Sequence, residues 1–547
     1  MASNEQIVAE SIKDMNALIR DRTVFETHWE EVAELVLPSY RNTFTRGSYN
    51  TPGEKKTEKQ VDSSAALALS RFGSIIDSLL TPRNMMWHQL TSDNEDLNKL
   101  REVRMWFEIV TRIMFKERYK PSANFASQNL TSYISMGAFG NGVLWIDPLR
   151  DAYGGRGVRY SCIPIGEIYL GQNFQGLIDR FCRIFWLDKS QAIAQFGEEN
   201  LPQTLLENKD PNSKFEFLHR VCPRAFYDPQ RIDSKGKPWA SYYIALGNGG
   251  HLISESGYNT FPISVNRYEN APGEVYARGP AMTILPAIKT INAEKRDFLV
   301  QGHRAASPVL LTTDDGMVDF SMRPGALNKG GWSSDGKPLV GTLPVGNIQV
   351  SEEMMARENM IIDDAFLIGM FKILQENPQM TATQVIEIVN QKGILLAPTV
   401  GRQQSEYLGP MIHREMDVMA ELGILPPVPE VMREARAEYN VVYTSPLSRA
   451  MRAQEVAGFG RTMEILTGIV NITQDPTPLD EFNFSKASRE IADIQAVPES
   501  WMASPEESQA KKDSRQQAMD QQAEIQAAPA AAAMLKAKAV ADKGNAK

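Results

Sequence analysis

The sequence predicts a mostly helical α+β chain, and three observations predict it. Apolar residues recur at three- and four-residue spacing through the first 140 residues. From Gly140 the period shortens to two, in β-branched and aromatic runs bounded by Gly, Pro and Asn. After Gly279 the helical period returns on both sides of a short interval dense in Gly, Pro and Asp. At 547 residues the chain is too long for one small core, and its 42% hydrophobic content is enough to fill several.

Each element follows from local signals. In "TVFETHWEEVAELVLPSY", Phe25, Trp29, Val32, Ala33 and Val36 make one stripe, and Pro38 stops the helix. "DSSAALALSRFGSIIDSLLTPR" is a second helix, capped by Asp62 or Ser63 and ended by Pro82, and "MMWHQLT" after it reads as extended. A third, around "KLREVRMWFEIVTRIMFKERY", carries Trp106, Ile109, Val110, Ile113 and Met114 on one side. "NGVLWIDP", "GVRYSCIP", "GEIYLGQ", "LIDRFCRIFWLD", "FEFLHRVC", "WASYYIALGNGGHLISESG" and "PISVNRY" read as antiparallel strands. "GNGG" supplies a hairpin turn, and "SQAIAQFGEEN" interrupts the strands with a short helix.

Beyond residue 270, "AMTILPAIKTINAEKRDFLVQGHRA" is helical despite Pro286, and 307–350 has the composition of a small strand-and-turn module. "SEEMMARENMIIDDAFLIGMFKIL" reads as one helix, followed by the polar loop "QENPQ", where Pro378 cannot continue it. Thr381 and Gln384 form a capping box that opens a long helix. Pro398, Gly401 and Gly409-Pro410 should bend that helix, and Gly423 should end it. "SRAMRAQEVAGFGRTMEILTGIV" and "SKASREIADIQA" are further helices. No aromatic residue follows Trp501; the Gln-, Ala- and Lys-rich tail has helix propensity but too little apolar surface to fold alone, so it is expected to be ordered only against neighbouring copies.

Composition removes several functions. A net charge of −9 argues against tight nucleic-acid binding, which draws on clustered Lys and Arg. Cys162, Cys182 and Cys222 are odd in number and widely spaced, which fits buried thiols of a reducing compartment better than disulfides or a metal site. The N-terminal segment carries charges where a signal peptide needs an apolar core, and no run approaches the ~20 apolar residues of a membrane span. No membrane partner is expected.

Chemical motifs are similarly absent. In "GGWSSDGKP", Gly331 and Gly336-Lys337 have phosphate-loop spacing, but Pro338 stands where a Ser or Thr must meet magnesium, so the stretch reads as a turn between strands. "GGRG" at 154–157 precedes a strand and reads as a loop tip. His28, His88, His219, His251, His303 and His413 show no metal-ligand spacing. No cofactor, metal or catalytic residue is expected. Glu352, Glu353, Arg357, Asn359, Asp363 and Asp364 share one arc of their helix, opposite Met354, Met355, Ile361, Ile362 and Ala365. That arc suits a solvated face, a face on a water-filled channel, or a subunit contact.

The order and spacing of "WEEVAELVLPS", "DSSAALALSRFGSIIDSLLTPRNMMWHQL", "YARGPAMTILPAIKTIN", "MTATQVIEI", "SEYLGPMIHRE", "LGILPPVPE" and "VVYTSPLSRAMRA" resemble the portal proteins, or head-to-tail connectors, of short-tailed bacteriophages. One departure is Ala277, where the family string has a second glycine. The resemblance implies a homo-oligomeric ring, usually a dodecamer, at one capsid vertex of the virion, assembled in the host cytoplasm. It carries double-stranded DNA and meets terminase, tail adaptor and nozzle, major capsid, scaffold and internal core proteins. Residues 1–276 would be wing, β-rich from about 141, with 277–303 and 351–374 as stem helices around a small α/β clip at 304–350. A tunnel loop would occupy 375–380, a long kinked helix 381–430, a crown 431–502, and a tail, as a helical barrel, 503–547. The tunnel loop would bring Lys372, Gln375, Glu376, Asn377, Pro378 and Gln379 to the DNA, with Glu352, Glu353, Arg357, Asp363 and Asp364 facing the channel. The clip would present Asp314, Asp315, Asn328, Lys329, Trp332, Asp335 and Lys337 to terminase and adaptor. A tail adaptor, a scaffold protein and a packaging NTPase are the alternatives, the last disfavoured by Pro338.

Overall fold

A computed structural model describes residues 3–44, 53–149, 156–210, 213–231, 233–247, 249–312, 321, 323, 326–327, 331–343, 348–369, 398–435, 438–474, 477–494, 497, 501–503, 507–519 and 521. The chain divides into two compact units. One comprises Met1–Trp87, Met114–Leu425 and Ser445–Met451; the other comprises His88–Ile113, Pro426–Thr444 and Arg452–Lys547.

The first unit begins with α1 (Asn4–Leu35), which starts at a reciprocal capping box between Ser3 and Gln6. Trp29, Val32, Ala33 and Val36 are buried as their spacing requires. In α2 (Ser64–Leu80) the cap comes from Asp62, whose carboxylate accepts from the Ser64 backbone N–H at 2.9 Å. In the second unit, β1 (His88–Ser92) and α3 (Glu95–Lys99) precede α4 (Arg101–Arg118), which runs on into the first unit, where α5 (Phe125–Phe139) lies entirely. The buried stripe of α4 is Val103, Phe107, Val110 and Met114, and Ile109, expected on it, is exposed. The spacing of four, three and four selects a narrower face than the aromatic and aliphatic residues alone suggest.

Every strand expected between 141 and 270 is present: β2 (Asn141–Pro148), β3 (Val158–Ile163), β4 (Ile168–Gln172), β5 (Ile178–Asp188), β6 (Lys214–Pro223), β7 (Trp239–Ala245), β8 (His251–Tyr258) and β9 (Ile263–Arg267). They form two antiparallel sheets, β3-β2-β9 and β4-β5-β6-β7-β8. "GNGG" turns β7 into β8 with Gly249 and Gly250 at φ of 93° and 88°. Alternation sorts the larger sheet. Cys182, Ile184, Leu218 and Ile244 pack with Val8, Met15, Leu18 and Ile19 of α1, while Phe185, Phe217 and Ala245 pack with Ala192, Leu201 and Leu205 around α6 (Lys189–Phe196) and α7 (Gln203–Leu206).

A short helix α8 (Pro280–Thr283) precedes α9 (Leu285–Ala306), so Pro286 falls in the first turn, where its missing N–H costs no helical bond. At the root of this segment Asn141 takes both backbone groups of Ala277, its Oδ1 accepting at 3.0 Å and its Nδ2 donating at 3.1 Å. A Cβ on Gly140 would lie 2.1 Å from the Ala277 carbonyl oxygen, so the tight approach demands glycine at 140, while Ala277 itself fits.

Strands β10 (Leu310–Thr312) and β11 (Val340–Thr342) pair antiparallel ahead of α10 (Ile348–Ala365). The expected single helix breaks after Ala365: Phe366 is buried with its ring 5.9 Å from that of Phe72, and Leu367 turns to a φ of 62°. The opening of the long helix, Thr381 and Gln384 included, lies outside the described residues. From 398 the helix continues, widens to a π-helix at Gln403–Leu408 beside Gly409-Pro410, and resumes as α11 (Gly409–Glu421). It ends at Gly423 (φ 66°) with Ile424 N–H donating to the Met419 carbonyl, a Schellman closure.

In the second unit, α12 (Glu430–Glu434) leads to β12 (Tyr439–Tyr443), which pairs with β1, His88 opposite Tyr443. No sequence signal had marked that strand. Helices α13 (Pro446–Thr473), α14 (Thr477–Asp480) and α15 (Phe484–Ile494) follow, and 507–519 is helical.

Candidate functional site

The excursion α9, strand-and-turn tip, α10 is the segment whose surface the fold leaves unfinished. Its base is fixed. Ile288 and Ile291 are buried, and Asn292 accepts from the backbone N–H groups of Val61 and Asp62 at 2.7 and 3.1 Å while donating to the Lys59 carbonyl at 3.1 Å. Lys289 reaches Glu31 at 2.7 Å. On α10, Met355 and Ile362 are buried, and so is Phe366 just beyond it. The two helices pack together, and burial first, the Glu358 charge second, holds the Glu294 carboxyl above its usual range.

The α10 face differs from the sequence reading. Glu352, Glu353, Arg357 and Asp364 are exposed, and Asp363 is half-buried. Met354 and Ile361, on the apolar side opposite the polar arc, are 52% and 42% exposed, and Met360 is 67% exposed. Among its described residues the helix buries Met355 and Ile362, with Phe366 just past its end, a stripe too narrow to cover every apolar residue that a wheel groups with it.

At the tip, "GWSSDGKP" from Gly331 is a hairpin, with Trp332 bridged to Pro338. Gly336 N–H donates to the Ser333 carbonyl at 3.0 Å, Ser333 N–H to the Lys337 carbonyl at 2.8 Å, and Gly336 has a φ of 71°. This is a type I turn closed by a glycine bulge, which confirms the reading against a phosphate loop. Trp332 (69% exposed), Asp335 and Lys337 all stand in solvent there. Asp314, Asp315, Asn328 and Lys329 lie outside the described residues, as do Lys372, Gln375, Glu376, Asn377, Pro378 and Gln379. Sequence reasoning passed over the apolar company of Trp332: Val309, Leu311, Leu327, Leu339 and Leu343 are also exposed. Alternating apolar residues in so short a module read equally well as a small core.

Among the described residues no cluster of His, Cys, Asp or Glu could hold a metal ion. No described helix is long and apolar enough to cross a membrane. The three cysteines are unpaired; Cys182 is buried, and burial pushes the Cys162 thiol up to about 12, which leaves it unreactive near neutral pH. "GGRG" falls in the β2–β3 connection, where Leu149 N–H meets the Gly157 carbonyl at 2.8 Å.

The family model of the bacteriophage head to tail connecting protein matches residues 9–502. A probable portal protein of Bordetella phage BPP-1 is 26% identical over 494 residues, 87% of this chain and 85% of its own length. A portal protein of Salmonella phage epsilon15 is likewise 26% identical over 498 residues, 89% of this chain and 87% of its own. With the match running through both units, this chain belongs to the bacteriophage head-to-tail connecting proteins, a structural and non-enzymatic family.

Proposed function

We propose that this chain is the portal of a phage head: copies close into a ring, a dodecamer, at one capsid vertex, and DNA enters and leaves through its centre. The observation that carries the reading is the family match over 9–502 together with the α9–tip–α10 excursion, which has the layout of a stem bearing a clip. The ring assembles in the host cytoplasm and stays in the virion. Its clip, with Trp332, Asp335 and Lys337 at the tip, meets terminase during packaging and the tail adaptor afterwards. Capsid, scaffold and internal core proteins meet the remaining surface.

The segment 375–379 with Lys372 narrows the channel. One cation among polar and acidic groups suits transport, since each neutralised phosphate would add salt-sensitive affinity and retard the duplex. Glu352 and Asp363, about three turns apart on one edge of α10 and away from Met354 and Ile361, repel phosphate in the same way.

Electron microscopy of the purified full chain tests the proposal. Closed rings with an open centre are expected; a chain that stays monomeric at micromolar concentration overturns it.

A further inference from the structure

The π-helix at Gln403–Leu408 holds one residue more than a regular helix would, and its two flanks are anchored separately. Gly409 N–H donates to the Gln404 carbonyl, five residues back, where a regular helix would use Ser405. On the C-terminal flank, Tyr407 donates its hydroxyl to Asn129 at 2.7 Å and accepts from Ser264 Oγ at its carbonyl, and Glu406 meets Arg267 at 2.6 Å. On the N-terminal flank, Arg402 and Gln403 donate to the carbonyls of Tyr268 and Arg267 at 2.7 and 2.8 Å; Val400 is buried, Thr399 half-buried and Gly401 exposed. Neither a wide nor a regular turn is free of cost here. In a regular turn the Pro410 ring would meet the Glu406 carbonyl, a clash that the wide turn avoids. The wide turn in exchange leaves Gln403 Oε1 buried without a hydrogen-bond partner among the described residues.

We infer that this turn is a two-register joint. Closing it to a regular helix, with Tyr407 onward fixed, rotates 398–402 by about 100° and moves them about 1.5 Å away along the axis. Each residue ahead of the turn then takes the place that its predecessor held. Gln404 enters the place of Gln403, so one side-chain amide replaces another at the Arg267 carbonyl. Gln403 enters that of Arg402 beside the Tyr268 carbonyl, again as a donor. Val400 moves to the half-buried place of Thr399, and Gly401 to the buried place of Val400. The Gln403-Gln404 repeat thus makes the two registers chemically alike where the helix is anchored, which is what exchange between two packed states requires. All the anchors belong to the first unit, so the joint works within one chain.

Thiol labelling of full chains carrying V400C or G401C tests the joint, with the labelling of the native cysteines subtracted. A Cβ at Gly401 meets open space, so the second probe fits. Deletion of Gln404 removes the surplus residue and locks 398–402 where they stand, whereas P410A removes the clash and favours the regular register. The Gln404 deletion should melt within about 2 °C of the wild type, while deletion of His413 from α11 should lower melting by about 10 °C or more. From the Gln404 deletion to P410A, V400C should label about tenfold faster and G401C about tenfold slower, with V400C in the otherwise natural chain falling between. Opposite responses mark rotation, because local opening exposes both positions. Labelling that rises at both positions or changes at neither overturns the joint. So does a natural chain whose V400C labels no faster than in the Gln404 deletion, or a Gln404 deletion that melts as low as the His413 deletion.

Discussion

The five-stranded sheet and the α9–α10 hairpin treat charge in opposite ways. Around the sheet, arginines are consumed internally: Arg22, 1% exposed, donates to the carbonyls of Ile165, Gly166 and Ile168, and Arg183, Arg220 and Arg224 each lie 2.9 Å from a carboxylate, those of Glu167, Asp14 and Glu255. On the hairpin, Arg296, Arg304, Glu353 and Asp364 make no ion pair among the described residues. The first region is a finished scaffold. The second keeps charge at its surface that its described residues leave without an ion pair.

The largest effect should come from breaking the scaffold side of that contrast. Arg118 and Glu415 form a 2.6 Å pair with neither side chain exposed, and the guanidinium lies over the rings of Trp87, Phe115 and Phe125. R118A strands a buried carboxylate, already pushed upward by burial and held down chiefly by Arg118. We expect a loss of about 3–5 kcal/mol in urea unfolding of the full chain; a loss under ~1 kcal/mol would show that the pair is dispensable.

A second scaffold effect depends on pH. His219 is buried, stacked on Tyr243 at 3.9 Å and hydrogen-bonded to Ser241 Oγ at 2.8 Å; burial first, then Arg183, holds its imidazole well below the ordinary value. The folded state therefore refuses a proton that the unfolded chain accepts. Its contribution is complete above about pH 6.5 and shrinks as pH falls below that, by at most ~1.4 kcal/mol per unit. Between pH 7 and 5 the wild-type melting temperature should fall more steeply than that of H219F; parallel curves would contradict this.

How much of this was legible depends on where the determining contacts lie. All eight strands between 141 and 267 were readable because alternation, aromatic content and glycine turns are local properties. Strand β12 was not, since Tyr439–Tyr443 becomes a strand only against β1, some 350 residues earlier. The π-helix at Gln403–Leu408 was readable as a bend beside Gly409-Pro410 but not as to type, which Tyr407, bonded to Asn129 at 2.7 Å, and Glu406, paired with Arg267 at 2.6 Å, help to set. The exposure of Met354 and Ile361 was not legible for a different reason: a wheel groups apolar residues by angle and does not report which of them a neighbouring helix covers.

A third, smaller effect moves to the hairpin tip. At a φ of 71°, Gly336 has open space where a Cβ would sit, so G336A meets no clash and suffers only the left-handed backbone penalty of about 1–2 kcal/mol. Amide exchange at Ser333 and Gly336 should accelerate roughly tenfold while the scaffold's melting is unchanged; equal exchange would mean that the turn does not hold the tip.

The smallest effect on stability, and the sharpest on the contrast, belongs to Trp332. It is 69% exposed in the isolated chain, so its indole is already in water and W332A removes little burial. Unfolding free energy should change by no more than ~0.5 kcal/mol, and ring formation should be unaffected. Held in a partner's pocket, the same indole would be an anchor whose truncation costs about 2 kcal/mol or more, roughly thirtyfold in Kd. Titration of W332A rings with the tail adaptor of the same phage should show that loss, and equal affinity would return Trp332 to the ordinary surface. A residue worth almost nothing to its own fold and much to a complex is what an interface half predicts, and a substitution silent in both assays would erase the distinction between scaffold and tip.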